Sequence, residues 1–552
     1  MRYHLLLFLS MLVLPLKAQQ TTNAAEGQKR LVYFTDKEKS PYSFSDPEQF
    51  LSAKSIARRQ RQNIPLNARD LPVDPAYVAG LKQTGITVWY TSRWFNAAVV
   101  QCTDEQLEQL SGLSYIKSTR TLNRSAQPEA SQLRENQHKL ERASSVPNYS
   151  RTASIDYGLT FHQADMLGTD ELHAAGYTGT GMTVAVFDAG FPGVNTISAF
   201  SHLFQGERLK GTFDFVKKEE NVFSADWHGT AVLSTMAAYE PGKIIGTAYD
   251  ANYILLRTED AATEHNIEEI NWLIAAEYAD SVGADVINSS LGYTLFDAPS
   301  TSYSYADMDG NTSLVTKAAD LAAAVGILVV VAAGNEGNNT WRYISAPADA
   351  DSVLTVGAVD SLGAKAFFSS FGPTADGRIK PDVVAMGYKT YVLQASGNLA
   401  QSNGTSFSSP IMAGFAASLW QANPSKTNLE IIALLRQIGS NSANPNNSIG
   451  YGIPSYSTLV TALPVVKNEG SAFITNPVQH GPIVLTLGEE WHQQSVDVQL
   501  IDITGKRVFQ QRITSALPKQ VLELQPQRLQ KGLYVCRIRS GSRTHTLRFV
   551  KL

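Results

Sequence analysis

Two cysteines in 552 residues, Cys102 and Cys536, are too few to staple a chain of this length. They fall in segments of different character, so a bridge between them is not expected even in an oxidising compartment, and stability must come from apolar cores. Basic charge is not in excess. The 46 Lys+Arg against 50 Asp+Glu give a net charge of −4, and the cations are scattered, which excludes the positive field that nucleic acid requires. Long apolar runs are nearly absent. The run at residues 5–16, behind Arg2 and His4, is too short to span a bilayer, which takes about 20 residues. With Leu16-Lys17-Ala18 before Gln19 it reads as a secretory signal over residues 1–18. No Cys follows it, so no lipid anchor is indicated and no transmembrane segment is expected. The chain is read as exported, to the extracellular space or the outer cell surface. His-x-x-x-His pairs and Cys clusters are missing as well, which argues against catalytic zinc.

What is present is an ordinary globular composition, 43% hydrophobic and 17% charged, in a chain long enough for about three to four domains. Strand patterns at 31–34, 86–90 and 97–100, with helical patterns at 46–63 and 103–113, predict a small α+β module. Residues 121–153 are polar and read as a linker, in which Arg142 and Arg151 are candidate cleavage points. Residues 155–462 then alternate. Strands are expected at 182–187, 253–257, 285–289, 327–332 and 353–359, and helices at 229–239, 267–282, 313–325, 407–421 and 428–436. That pattern predicts an α/β domain with a mostly parallel sheet covered on both faces, whose reactive groups gather at the carboxyl ends of strands. Beyond 471 the period changes to two: Val496, Val498 and Leu500 alternate with Asp497 and Gln499, and Tyr534, Cys536 and Ile538 with Val535, Arg537 and Arg539. An all-β module, a small sandwich, is expected there.

Three short motifs in the middle domain supply an acid, a base and a nucleophile. Asp188-Ala189-Gly190 ends a continuous apolar strand, where a bare carboxylate would be costly and wants a donor such as an imidazole N–H. His228-Gly229-Thr230 opens a helix, with Gly229 expected to let backbone pass close to a substrate. Gly404-Thr405-Ser406-Phe407-Ser408-Ser409-Pro410 opens another, where free N–H groups and the dipole favour an oxyanion and where Pro410 is expected within the first turn. A fourth stretch, Val331-Ala332-Ala333-Gly334-Asn335, puts an amide donor after a small-residue strand end, an oxyanion-hole candidate.

In these motifs, in the order Asp…His…Ser, and in Asn288-Ser289-Ser290-Leu291-Gly292, the chain resembles the subtilisin-like serine proteases across residues 155–462. The resemblance implies a subtilisin-like α/β fold, a catalytic triad of Asp188, His228 and Ser406, Asn335 as oxyanion-hole donor, and Ser290, Leu291 and Gly292 as the segment that pairs with substrate backbone. Departures are local. Ala189 stands where Thr or Ser is common, Phe407 where Met is common, Ala231 where a second His is common, and Tyr293 where a second Gly is common. The last points to an altered primary specificity pocket. The first module resembles the inhibitory propeptides of the same family. The last resembles the C-terminal sorting domains of type IX secretion cargo in Bacteroidetes, through Asn476-Pro477, residues 500–506, Lys531-Gly532-Leu533-Tyr534 and a basic-apolar end.

The expectation is therefore a secreted serine endopeptidase made as a zymogen and acting through an acyl-enzyme. Its parts are a signal peptide (1–18), a propeptide (19–153), a peptidase domain (154–465) and a sorting domain (470–552). Its partners are peptide or protein substrates, its own propeptide as intramolecular inhibitor, and the secretion machinery. The competing readings are a catalytically silent surface-binding protein of the same fold and an esterase using the same triad. No cofactor is expected for catalysis and no metal is assigned. Asp307-Met308-Asp309-Gly310-Asn311 offers oxygens but fails the EF-hand spacing, so structural calcium is not indicated.

Overall fold

The computed structural model describes residues 27–122 except Ser111, the pair Glu141–Arg142, residues 155–462 and most of 472–551. The signal segment and nearly all of the linker expected at 121–153, Arg151 included, lie outside the described residues. Among those described, no helix is long and apolar enough to cross a membrane.

The middle domain is built on a seven-stranded sheet whose neighbours all pair in parallel. Its order in space is Val383–Met386, Leu354–Val359, Leu328–Ala332, Val286–Ser289, Thr183–Asp188, Asn252–Arg257, Leu209–Asp214. The central strands are buried on both faces, which is why they read as unbroken apolar runs. Alternate residues still choose opposite sides. Val184, Val186, Leu255 and Val330 join the core under the helices His228–Ala237 and Thr405–Ala422. Ala185, Phe187, Leu256 and Val329 join a second core under Ile267–Val282 and Leu314–Ala324. The chain begins the sheet at Thr183–Asp188, passes to the edge strand Leu209–Asp214, returns to insert Asn252–Arg257 between the two, and then builds outward from Val286–Ser289 on the other side. The topological switch point, where doubly wound sheets open a crevice at the carboxyl edge, thus falls between Asp188 and Ser289.

Two strands absent from the sequence expectation, Leu209–Asp214 and Val383–Met386, are the two outer strands of this sheet. The first mixes Lys210, Gly211 and Thr212 into its run and is only partly covered. The second is four residues long and follows Pro381. Neither carries enough pattern to announce itself.

The first module is a four-stranded antiparallel sheet, in the order Thr87–Ser92, Ala97–Cys102, Gln28–Phe34, Ile116–Thr121, with helices at Ala53–Arg61, Pro75–Gln83 and Asp104–Leu110. The single helix expected at 46–63 is divided. Pro47 opens a short 3-10 turn, and Ser52 starts the helix proper by accepting the Ser55 N–H. The Pro75–Gln83 helix was not expected, although Asp74-Pro75 is a readable start: the Asp74 side chain accepts the Ala76 N–H and Pro75 costs nothing at the first position.

This module seats on the middle domain. Leu31, Trp94, Ala97, Val99 and Leu122 belong to the same core as the Ile267–Val282 helix. Asp280 on that helix, fully buried, accepts Arg58, Arg59 (2.8 Å to each carboxylate oxygen) and Arg93 (2.5 Å). Burial raises the Asp280 carboxyl, but the three guanidiniums outweigh it and hold the group below the ordinary carboxylate range. One turn earlier, Glu277 accepts the N–H groups of Arg93 (2.8 Å) and Trp94 (3.2 Å).

The last module consists of two antiparallel sheets, one of three strands and one of four, around a common core that includes Leu485, Trp491, Val498, Cys536 and Phe549. Cys102 and Cys536 are buried thiols in separate cores, and burial pushes Cys536 up to about 12.

Candidate active site

Asp188 ends its strand fully buried. Its Oδ1 accepts the Nδ1–H of His228 (2.8 Å) and its neighbour's N–H, from Ala189 (2.8 Å). Its Oδ2 is buried with no hydrogen-bond partner among the described residues. His228 opens its helix with its own N–H donated to Asp226. The glycine after it is needed within the fold itself: a Cβ on Gly229 would lie 2.2 Å from the Gly190 carbonyl oxygen and 3.0 Å from the Asp188 Cβ. The missing side chain lets the helix start press against the Asp188 turn, which brings the imidazole to its carboxylate. Burial pulls the His228 pKa down, but the Asp188 charge and hydrogen bond, with Asp226, outweigh it and hold it above the ordinary value.

That shift fixes an expected pH profile. A general base must be neutral, and a pKa above the reference of about 6.5 means activity is lost as pH falls through a point above that value. The acid limb of kcat/KM should therefore lie above 6.5; an optimum near pH 4 would exclude His228 as the base.

Ser406 is the second residue of the helix Thr405–Ala422, and its N–H has no acceptor among the described residues, as befits the first turn of a helix. Its Oγ donates to the Ser290 carbonyl (3.3 Å), while the Ser290 hydroxyl donates to the Ser406 carbonyl (2.8 Å). The second bond has a cause in the sequence. Pro410 lies inside the helix rather than in its first turn; lacking an N–H, it leaves the carbonyl four residues back, that of Ser406, open to Ser290. The Phe407 ring sits 5.8 Å from the imidazole of His228.

Asn335 follows the strand Leu328–Ala332. Its Oδ1 accepts both the N–H (2.8 Å) and the hydroxyl (3.0 Å) of Thr405. Two donors on one atom settle which end of the amide is oxygen, and the Nδ2 donates to no group among the described residues. Ser290 is buried, Leu291 half-buried and Gly292 exposed, and the backbone N–H and C=O groups of Leu291 and Gly292 have no partners among the described residues. Ala231 is buried in the core face of its helix.

Sequence reasoning missed two supports. Thr405 pins the Asn335 amide, and Asn288 links the Ser290 hydroxyl (3.0 Å) to Ser409 (2.9 Å) on the nucleophile helix. Both lie inside quoted motifs, but their partners are 70 to 121 residues away.

The acidic stretch 307–311 spends its oxygens locally. Asp307 accepts the Ser304 N–H and hydroxyl, and Asp309 accepts Asn311, Thr312 and the Thr312 hydroxyl, which makes a cap and a turn. A group of carboxyls within 4.8 Å of one another is formed by Glu259, Glu264 and Glu268. Burial pushes Glu259 up to about 7 and Glu268 well above the ordinary range.

Asp188 and His228 are hydrogen-bonded at the carboxyl edge of a doubly wound parallel sheet, and Phe407, the residue after Ser406, sets the start of the Thr405–Ala422 helix against the imidazole. The chain belongs to the subtilase family: residues 179–452 match the family model for the Subtilase family, Peptidase S8. Residues 29–138 match the Peptidase S8 propeptide domain of Bacteroidota, and residues 476–552 the secretion system C-terminal sorting domain. Similar proteins include subtilisin DY of Bacillus licheniformis, 32% identical over 54% of this chain and 95% of that protein, and subtilisin E of Bacillus subtilis (strain 168), 32% identical over 54% and 69%. A solved structure, MycP1 with its N-terminal propeptide removed, matches with a TM-score of 0.44 at 24% identity, over 55% of this chain and 98% of that one. The chain is thus a member of a serine protease family carrying a propeptide domain and a type IX secretion sorting domain.

Proposed function

We propose that this protein is a secreted serine endopeptidase that hydrolyses peptide bonds through an acyl-enzyme, held inactive by residues 19–153 and exported by means of residues 470–552. The observation that carries the reading is the bond from the His228 Nδ1–H to the buried Asp188 at the switch point of the sheet, on the edge where the nucleophile helix begins.

In this mechanism Asp188 fixes the tautomer, so that the Nε2 of His228 is the basic nitrogen. Ser406 Oγ attacks the scissile carbonyl as Nε2 takes its proton. The developing oxyanion is held by the Asn335 amide and the Ser406 N–H, and the imidazolium returns its proton to the leaving amine. Water, activated by the same base, then releases the acyl group. The unspent backbone groups of Leu291 and Gly292 offer an edge for an extended substrate strand. Substrate N–H groups reaching the Ser290 carbonyl would also relieve Ser406 Oγ of the acceptor it holds in the free protein.

A fluorophosphonate label with parallel casein and p-nitrophenyl ester assays tests this. Labelling with casein turnover is expected. No labelling would mean a silent scaffold, and labelling with ester turnover alone an esterase. Asn335→Ala should lower kcat by about 10²–10³ with KM little changed, because the lost donor acts on charge that develops only in the transition state. An unchanged kcat would remove Asn335 from that role.

A further inference from the structure

The sequence points to Tyr293 as the residue that alters the slot beside the nucleophile, but the structure engages that side chain elsewhere. The Tyr293 ring is buried and stacked on Phe296 (6.1 Å between centroids), and its hydroxyl donates to Glu259 (2.6 Å). The atom that occupies the slot comes from residue 345.

Ser345 is tied by backbone to both segments that flank Ser406. Its N–H donates to the Ala333 carbonyl (3.3 Å), two residues before Asn335. The adjoining Ala346 exchanges both backbone hydrogen bonds with Tyr293 (2.8 and 3.2 Å). The Ser345 side chain therefore projects between Gly292 and Gly334. A Cβ built on Gly292 would stand 2.2 Å from Ser345 Oγ, and one on Gly334 would stand 3.1 Å from it. Both glycines leave room that this hydroxyl fills. Ser345 is 3% exposed, and its Oγ is buried without a hydrogen-bond partner among the described residues. The neighbouring Ser370 hydroxyl, also close to Gly334, is by contrast engaged by the Glu336 N–H (2.9 Å).

We infer that Ser345 floors the pocket for the side chain of the substrate residue whose carbonyl is attacked, and that it restricts that residue to alanine or serine size. The inference rests on the peptidase reading above. A substrate strand lying along Leu291–Gly292, with its carbonyl between Ser406 Oγ and the Asn335 amide, must send that side chain between the two glycine-bearing segments. The space between those segments is already filled by Ser345 Oγ, which stands 2.2 Å from where a Cβ on Gly292 would be. It cannot withdraw cheaply, because the residue is anchored on both sides by backbone. A methyl or hydroxymethyl group fits above it; a leucine or phenylalanine side chain does not.

The test uses the processed enzyme and a series of fluorogenic peptides differing only at the residue before the cleaved bond. Wild-type kcat/KM should favour Ala and Ser over Leu and Phe by tenfold or more, the scale on which pockets discriminate by a few carbons. Ser345→Gly should raise the Phe:Ala ratio by about 10²-fold while Ala turnover changes little. Ser345→Thr, which adds one methyl to the floor, should instead shift preference from Ala to Gly and serves if the glycine variant does not fold. A wild-type preference for Phe or Leu, or a ratio that neither variant moves, overturns the role of Ser345 and leaves the peptidase reading standing. No turnover of any peptide by a fluorophosphonate-reactive wild-type enzyme overturns both.

Discussion

Ser406→Ala is expected to leave a folded chain whose peptide hydrolysis is reduced by about six orders of magnitude, the scale on which loss of a triad nucleophile acts. The substitution removes the atom that forms the acyl bond and little else. Its Oγ makes one long hydrogen bond, to Ser290 at 3.3 Å, which contributes about 1 kcal/mol or less. The link in the other direction, from the Ser290 hydroxyl to the Ser406 carbonyl, uses backbone and survives. Thermal unfolding should accordingly move by a few degrees at most, while burst-phase and steady-state turnover both vanish. The variant should also accumulate with residues 19–153 still attached if the first cut is self-inflicted. A variant that retains a tenth of the activity would mean that another group is the nucleophile.

Asp280→Ala should release the first module from the peptidase without harming the peptidase itself. Among the described residues every side-chain donor to the Asp280 carboxylate, namely Ser55, Arg58, Arg59 and Arg93, comes from the first module, so the peptidase domain loses none of its own bonds there when the carboxylate goes. The combined chain loses a great deal. Removing one partner of a buried ionic cluster strands the remaining charges and typically costs about 3–5 kcal/mol, equivalent to roughly 10²–10⁴-fold in the docking equilibrium. In an Ser406→Ala background, where no self-cleavage intervenes, amide exchange in the first module's sheet should accelerate by that factor, with exchange in the seven-stranded sheet unchanged. In the active chain, peptide turnover should appear before residues 19–153 are removed. Unchanged exchange would show that the apolar contacts of Leu31, Trp94 and Val99 suffice and that the cluster only sets register.

The parts of this protein that were legible in its sequence are those with a local physical signature. Burial on both faces writes unbroken apolar runs, so the inner strands and the helices between them could be placed to within a few residues. Helix starts need small or capping residues, so His228-Gly229 and Gly404-Thr405-Ser406 stood out. Asp188 stood out because a carboxylate closing an apolar strand demands a partner. The order of the three motifs and the residues around them carried the family resemblance, and period-two alternation gave the last module its class.

Tertiary structure alone decided the rest, because its determinants are contacts between residues whose separation along the chain leaves no pattern. The two outer strands acquire their pairing from the sheet they join rather than from their own composition. Gly229 makes room for Gly190 and Asp188, and Pro410 acts by freeing the Ser406 carbonyl for Ser290, 116 residues away. Asp280 meets three arginines 187 to 222 residues distant, a cluster that neither sequence segment announces, since Arg58-Arg59 alone is indistinguishable from a solvated pair. Ser345 has no motif at all. Its position between Gly292 and Gly334 exists only because a parallel sheet brings two strand ends side by side and a third segment is bonded across the gap beneath them.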